Sequence, residues 1–192
     1  MKTREVFRVL RQHVEPPLLD LGFEPFKDPS GLFFVWTRPR KGRKFETVAC
    51  QADKWGWDPW RGSRFQVLMT RSRQRGNVAL CREFAEMWDL LTADEKPPVE
   101  AVLNKVIGKS RVPTPGEYNA HLGFPAYTES GMRVYREACA PVDLSRRPFD
   151  GLWLRFVDAG DLEAWAEMLS AWVPRALARN AEADWSVFGW GG

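Results

Sequence analysis

A chain of 192 residues with a net charge of +3 is long enough to bury a core and too short for two full-sized domains joined by a linker, so one domain is expected. Hydrophobic residues at 44% and charged residues at 28% exclude a disordered or fibrous chain. Ten tryptophans and twelve phenylalanines against three tyrosines are too much apolar ring to leave in water, so the core is expected to be rich in aromatics.

The N-terminal stretch MKTREVFRVLRQHVEPP puts Val6, Phe7, Val9, Leu10 and Val14 at helical spacing, with Arg4, Arg8, Arg11 and Glu15 on the other side. This is an amphipathic helix. Its apolar runs are interrupted by charges, unlike a signal peptide, and no stretch of the chain approaches the length of a membrane-crossing helix. A cytoplasmic protein without a membrane partner is expected. Pro16 and Pro17 either end the helix or start a second short turn carrying Leu18 and Leu19, and Gly22 suits the left-handed capping position.

The period then becomes extended. Residues 32–38 (LFFVWTR), 43–51 (RKFETVACQ) and 64–73 (RFQVLMTRSR) are rich in β-branched and aromatic residues and read as three strands. Turn residues at 39–42 make the first two an antiparallel hairpin, and residues 52–63 form a connection longer than a tight hairpin needs, a length often tied to function. Helical spacing returns with Leu80, Phe84, Trp88 and Leu91, predicting a helix over about 78–92. Pro97 and Pro98 open a further helix, Val99 to Lys109, with Val102, Leu103 and Val106 inward. Residues 112–122 are weakly patterned and expected to be irregular, 128–140 helical, and 152–157 (LWLRFV) a returning strand. A long helix over 158–181 carries Leu162, Trp165, Met168, Leu169 and Trp172 on one face, with Pro174 kinking it or starting its last section. The tail WSVFGWGG has no periodic pattern, and its rings either fold back onto the body or dock elsewhere.

Strands bracketed by helices, without strict alternation, predict an α+β domain: an antiparallel sheet of three to five strands with helices packed mainly on one face, and residues 93–150 as a helical or irregular elaboration. The N-terminal helix ending in Leu21-Gly22-Phe23, the strand around Phe33-Phe34-Val35-Trp36 and the run Gln51-Ala-Asp-Lys54-Trp55-Gly56 resemble a bacterial family known only as domain-of-unknown-function family 4304. The likeness covers roughly the first 75 residues. It implies a small bacterial α+β protein and brings no catalytic residue and no activity.

Motifs exclude more than they propose. Histidine occurs only at positions 13 and 121, and HExxH, GxSxG and GxGxxG are absent. Gly108-Lys109-Ser110 has the ending of a phosphate-binding loop, yet Leu103 stands where that motif needs glycine. Cys50, Cys81 and Cys139 are scattered, which favours free thiols in a reducing compartment over a zinc or disulfide framework. No metal, no cofactor and no catalytic residue is assigned. Charge is uneven: residues 1–76 hold 16 Lys and Arg against 8 Asp and Glu, whereas 77–192 hold 12 against 17. The basic part either attracts nucleic acid or is complemented by the acidic part packed beside it, and the second is preferred.

One stretch stands out, QADKWGWDPWRG at 51–62, with three indoles within six positions. Rings turned inward would make it a plug on the core; rings turned outward beside arginine would make a stacking platform. Trp57, just before the Asp58-Pro59 turn, is the indole expected at the surface. The candidate binding residues are Gln51, Lys54, Trp55, Trp57, Trp60, Arg61 and Arg64. Asp53 and Asp58 are expected to satisfy loop donors or pair with Lys54 and Arg61. The resulting expectation is a non-catalytic binding or interaction module using loop 51–64, with a protein or small ligand as partner. The alternatives are a nucleic-acid-binding protein using the basic part, and an enzyme assembled from Gln51, Asp53, Lys54 and His13.

Overall fold

The computed structural model describes residues 3–53, 57–78, 81, 83–149 and 151–183. In chain order these form α1 (Thr3–Asp20), β1 (Glu24–Phe26), β2 (Phe33–Arg40), β3 (Lys44–Ala52), β4 (Ser63–Ser72), β5 (Glu83–Glu86), α2 (Met87–Leu90), α3 (Lys96–Ile107), α4 (Pro115–Leu122), α5 (Glu129–Ala138), β6 (Leu154–Phe156) and α6 (Ala159–Arg179). The class is α+β, with an open antiparallel sheet and helices on one side. Among the described residues the sheet has six strands, one more than the three to five expected: β6 is the returning strand read at 152–157, while β1 and β5 lie outside the sequence expectation. β1 to β5 follow in order, and β6 joins the N-terminal end of β4 while β5 pairs with its C-terminal half.

Alternation along the strands divides the sheet into two faces. Trp36, Val48, Cys50, Phe65, Val67, Met69 and Ala85 meet Val6, Val9, Leu10, Val14 and Leu18 of α1 and Leu162, Trp165, Leu169, Trp172 and Val173 of α6 in one large core. The opposite face carries a smaller cluster of Val35, Ala49, Leu68, Val78 and Phe84. The apolar stripes of α1 and α6 are therefore what covers the sheet. Prolines do not stop either helix: α1 runs through Pro16 and Pro17 and α6 through Pro174, because burial of the stripes outweighs the backbone bonds forgone. Gly22 closes α1 at φ 77°, a conformation open to glycine at no steric cost.

Two expectations are corrected. The helix over 78–92 is instead strand β5 followed by the single turn α2, with residues 79, 80 and 82 outside the described set. Phe84 and Trp88 are spaced as in a helix, but Leu68 to Arg71 of β4 offer a pairing edge to Glu83–Glu86, and that long-range pairing wins over local period. Residues 112–122 are not irregular, since α4 occupies most of them. The Thr114 hydroxyl accepts from the Glu117 N–H at 3.3 Å while the Glu117 carboxylate accepts from the Thr114 N–H at 2.8 Å. This capping box, with Pro115 at the first turn and Gly123 left-handed at the end, specifies a helix that buries no residue of its own.

Much of the basic N-terminal charge is used inside the fold. Glu46, 1% exposed, accepts from Arg71 Nε at 3.0 Å, Arg38 Nε at 2.9 Å and Arg40 at 3.1 Å. Three guanidinium groups exceed one carboxylate, and the surplus faces the carbonyl end of α6: Arg71 donates to Asn180 O at 2.7 Å, and Arg40 donates to Ala181 O. Negative helix-end dipoles thus complete the charge balance of a buried cluster. Lys44 pairs with Glu83, and Arg75 with Glu24 at 2.7 Å.

Candidate functional site

The loop after β3 is pinned from both sides. Asp58 and Gly62 exchange two backbone hydrogen bonds of 2.8 Å, closing a small ring that holds Trp60 at its tip. Gly62 has φ 68°, and a Cβ there would lie 2.1 Å from Phe156 O, so only glycine lets this ring press against β6. The Asp58 carboxylate accepts from the N–H groups of Trp60 at 2.9 Å and Arg61 at 3.2 Å, and from the Tyr135 hydroxyl at 2.8 Å. Desolvation and that bond to Asp58 push the Tyr135 phenol well above its ordinary range, so it stays a donor.

The structure places five of the seven candidate residues. Trp60 is corrected: it is not a surface platform but is buried against Met132 and Tyr135, with Tyr118 packed beside them and His121 edge-on at 5.0 Å. An indole has too much apolar area to stay in water when two helices lie within reach. Trp57 is 41% exposed and anchors only its N–H, on Val157 O at 3.2 Å. Lys54 and Trp55 lie outside the described residues. Gln51 bonds Gln66 across the strands at 2.6 Å. Arg64 pairs with Asp53 at 3.0 Å and lies 4.3 Å over the Trp153 ring, while Arg61 lies 5.5 Å over Tyr135. Asp53 pairs with Arg64, while Asp58 takes loop backbone donors and the Tyr135 hydroxyl and lies 3.9 Å from Arg61, as expected of it.

Of the residues proposed for an assembled enzyme, the described ones, Gln51, Asp53 and His13, are not brought together. Gln51 and Asp53 lie on the face of the sheet away from α1, which carries His13 against the face of Trp36, Val48 and Cys50. Burial pushes the Cys50 thiol up to about 12, and it raises Cys81 and Cys139 as well. These are poor thiolate nucleophiles. Lys109 is held by Asp158 at 2.8 Å and Asp161 at 2.5 Å at the start of α6, which is a structural role. Among the described residues, no three His, Cys, Asp or Glu gather where a metal ion would sit, and no helix is long and apolar enough to cross a membrane.

What the structure does assemble is a cleft of about 890 Å³ between loop residues 61–64, α4, α5 and the segment entering β6. Arg61, Arg64, Trp153, Tyr135 and Arg155 line it, and Phe149, fully exposed, stands on its rim. Among the described residues its lining includes Arg61, Arg64, Arg133 and Arg155 with the carboxylates Asp53 and Glu137. Two of the candidate binding residues, Arg61 and Arg64, line this cleft, with Asp53 beside them. Tyr135, Trp153, Arg155 and Phe149 were missed, although alternation in LWLRFV already sets Leu152, Leu154 and Phe156 on one face and Trp153 and Arg155 on the other.

No family model, curated protein or solved structure matches this chain.

Proposed function

We propose that the chain is a non-catalytic binding module that takes a small ligand in the cleft between its strand-end loop and helices α4 and α5. One observation carries this reading: the stretch singled out by the sequence delivers Arg61 and Arg64 into a cleft of about 890 Å³, opposite aromatic side chains from a distant part of the chain. A volume of about 890 Å³ lies within the ordinary range for small-molecule sites, and aromatic walls with a few placed polar groups are their usual lining. Raised thiols support binding without covalent chemistry. The three free cysteines support a reducing, cytoplasmic setting. Kinship with family 4304 is part of the same proposal and adds no activity to it.

A fragment screen by ligand-observed NMR, with amide shifts mapped on the labelled full chain, tests the reading. Hits are expected to shift residues 61–64, 135–138 and 151–155. A screen without hits, or hits whose shifts all fall elsewhere, would overturn it.

A further inference from the structure

We infer that the end of the sheet formed by the β2–β3 turn and the C-terminal end of β4 binds the phosphate backbone of a nucleic-acid duplex through Lys41, Arg43 and Arg73. This surface is separate from the cleft, and neither reading depends on the other.

The strand register brings these cations together. Arg40 of β2 stands opposite Lys44 of β3, so residues 41–43 form the turn, and Phe45 stands opposite Ser72, so Arg73 leaves β4 at the same end. Three adjacent strands span about 10 Å, enough to face about three successive phosphates of one nucleic-acid strand at about 3.4 Å of rise each. Other basic residues of this end have carboxylate partners: Arg38, Arg40 and Arg71 with Glu46, Lys44 with Glu83, and Arg75 with Glu24. Lys41, Arg43 and Arg73 are exposed and form no ion pair among the described residues. Glu182 lines a shallow groove with Arg38, Arg40 and Lys41, and neither Arg43 nor Arg73 borders it.

Backbone strain is an independent support. Arg43 has φ 58° and follows Gly42 at φ 76°, and it is the one non-glycine among the described residues with a positive φ. That region crowds a Cβ, and a hairpin turn with two such residues ordinarily takes asparagine or glycine there. The fold gains nothing from arginine at this position, since the side chain is exposed and pairs with no described carboxylate; a contact outside the chain gives it a role. Protection of a sheet edge accounts for Pro39 and Arg40, which lie beyond the stretch of β2 that β1 covers, but a turn has no pairing edge to protect. The partner's class follows from what surrounds the cations. Planar guanidinium forks suit phosphate oxygens. Among the described residues, no exposed large apolar side chain lies at 38–46 or 71–76, so this end has neither a ring for unpaired bases to stack on nor an apolar anchor for a bilayer. A hairpin end is narrow enough for the major groove of a duplex, about 12 Å wide, which admits a two-stranded ribbon.

Fluorescence anisotropy of a short labelled DNA duplex titrated with the full chain tests this across a salt series. The logarithm of the association constant is expected to fall with the logarithm of salt concentration at a slope of about −3, since each neutralised phosphate contributes about −0.9. Arg43→Gly relieves the left-handed strain, so its melting temperature is expected to hold or rise while the slope moves to about −2 and affinity at about 50 mM salt drops about tenfold. Arg73→Ala is expected to move the slope in the same way, and Arg43→Lys to keep it. Lys105→Ala, which removes an exposed lysine of α3 far along the chain, is expected to change nothing. Absence of duplex binding at about 50 mM salt would overturn the inference, as would a slope untouched by Arg43→Gly or equal losses from Lys105→Ala. Polyglutamate, a single-stranded oligonucleotide or anionic phospholipid vesicles binding as tightly as the duplex would overturn the assignment of the partner.

Discussion

The sheet with α1 and α6 and the unit made of loop 57–62 with α4 and α5 are held together by different means. In the first, one continuous core, joined by side chains from α2 and α3, has Trp36 and Trp165 fully enclosed. In the second, the buried cluster is Trp60, Met132 and Tyr135, and the rest is caps and exposed ion pairs such as Arg111 with Glu117. Large apolar burial fixes a framework cooperatively, whereas a small cluster under capped helices opens at lower cost. The cleft lies where the two meet. A rigid sheet end presents Arg64, and the smaller unit contributes Tyr135, so the wall of the cleft is half framework and half adjustable.

The largest expected effect belongs to the framework. Trp165 is fully buried in α6 and its indole N–H donates to Arg155 O at 2.6 Å, so Trp165→Ala should cost about 3 to 5 kcal/mol in urea denaturation. Trp60→Ala is the matching cut in the smaller unit. Its loss is bounded by the free energy of opening that unit alone, which is less than that of global unfolding, and hydrogen exchange should rise in α4 and α5 while β3 and β4 stay protected. Uniform loss of protection across both regions would erase the distinction.

The same contrast explains what the sequence disclosed. Residues of the framework repeat at period 2 or 3.6 because one face of each element is buried, and α1, β2 to β4 and α6 follow from that pattern. α4 has no buried residue and hence no stripe, so its signal was the Thr114-Pro115-Gly-Glu117 capping box. β5 was mistaken for a helix because Phe84 and Trp88 fit both periods, and only the pairing partner in β4 decides. The cleft was half legible: Arg61 and Arg64 sit in a conspicuous stretch, while Trp153 and Arg155 reach them through a strand pairing of β6 with β4 that spans some ninety residues of sequence.

A smaller effect tests the capping box. Hydrogen bonds from Arg111 and Thr114 hold the Glu117 carboxyl at about 2, below its ordinary 4.5. A lowered carboxyl pKa means support for α4 that is present above 4.5 and lost as pH falls through 2. The Thr114 amide shift should therefore titrate near the lower value, and a midpoint near 4.5 would show that the box is not formed in solution. Thr114→Ala removes the hydroxyl acceptor and should cost about 1 kcal/mol, confined to α4 in hydrogen exchange.

The smallest effect is expected at the residue that first drew notice. Trp57 belongs to the same loop as Trp60, yet its ring is 41% exposed and only its N–H is engaged, on Val157 O. It lines neither the cleft nor a core cluster among the described residues. Trp57→Ala should then change stability by about half a kcal/mol or less, as ordinary surface substitutions do. Its effect on ligands is the sharper readout. If the cleft is the whole site, a ligand found in the fragment screen binds the variant as it binds the parent chain, because the ring is not part of the cleft lining. If affinity instead falls with Trp57→Ala while Arg61→Ala changes nothing, the exposed indole is the contact and the site lies on the outer side of the loop. Trp60→Ala separates these outcomes again, since loosening α5 displaces Tyr135 from beneath Arg61 and weakens only a ligand held in the cleft.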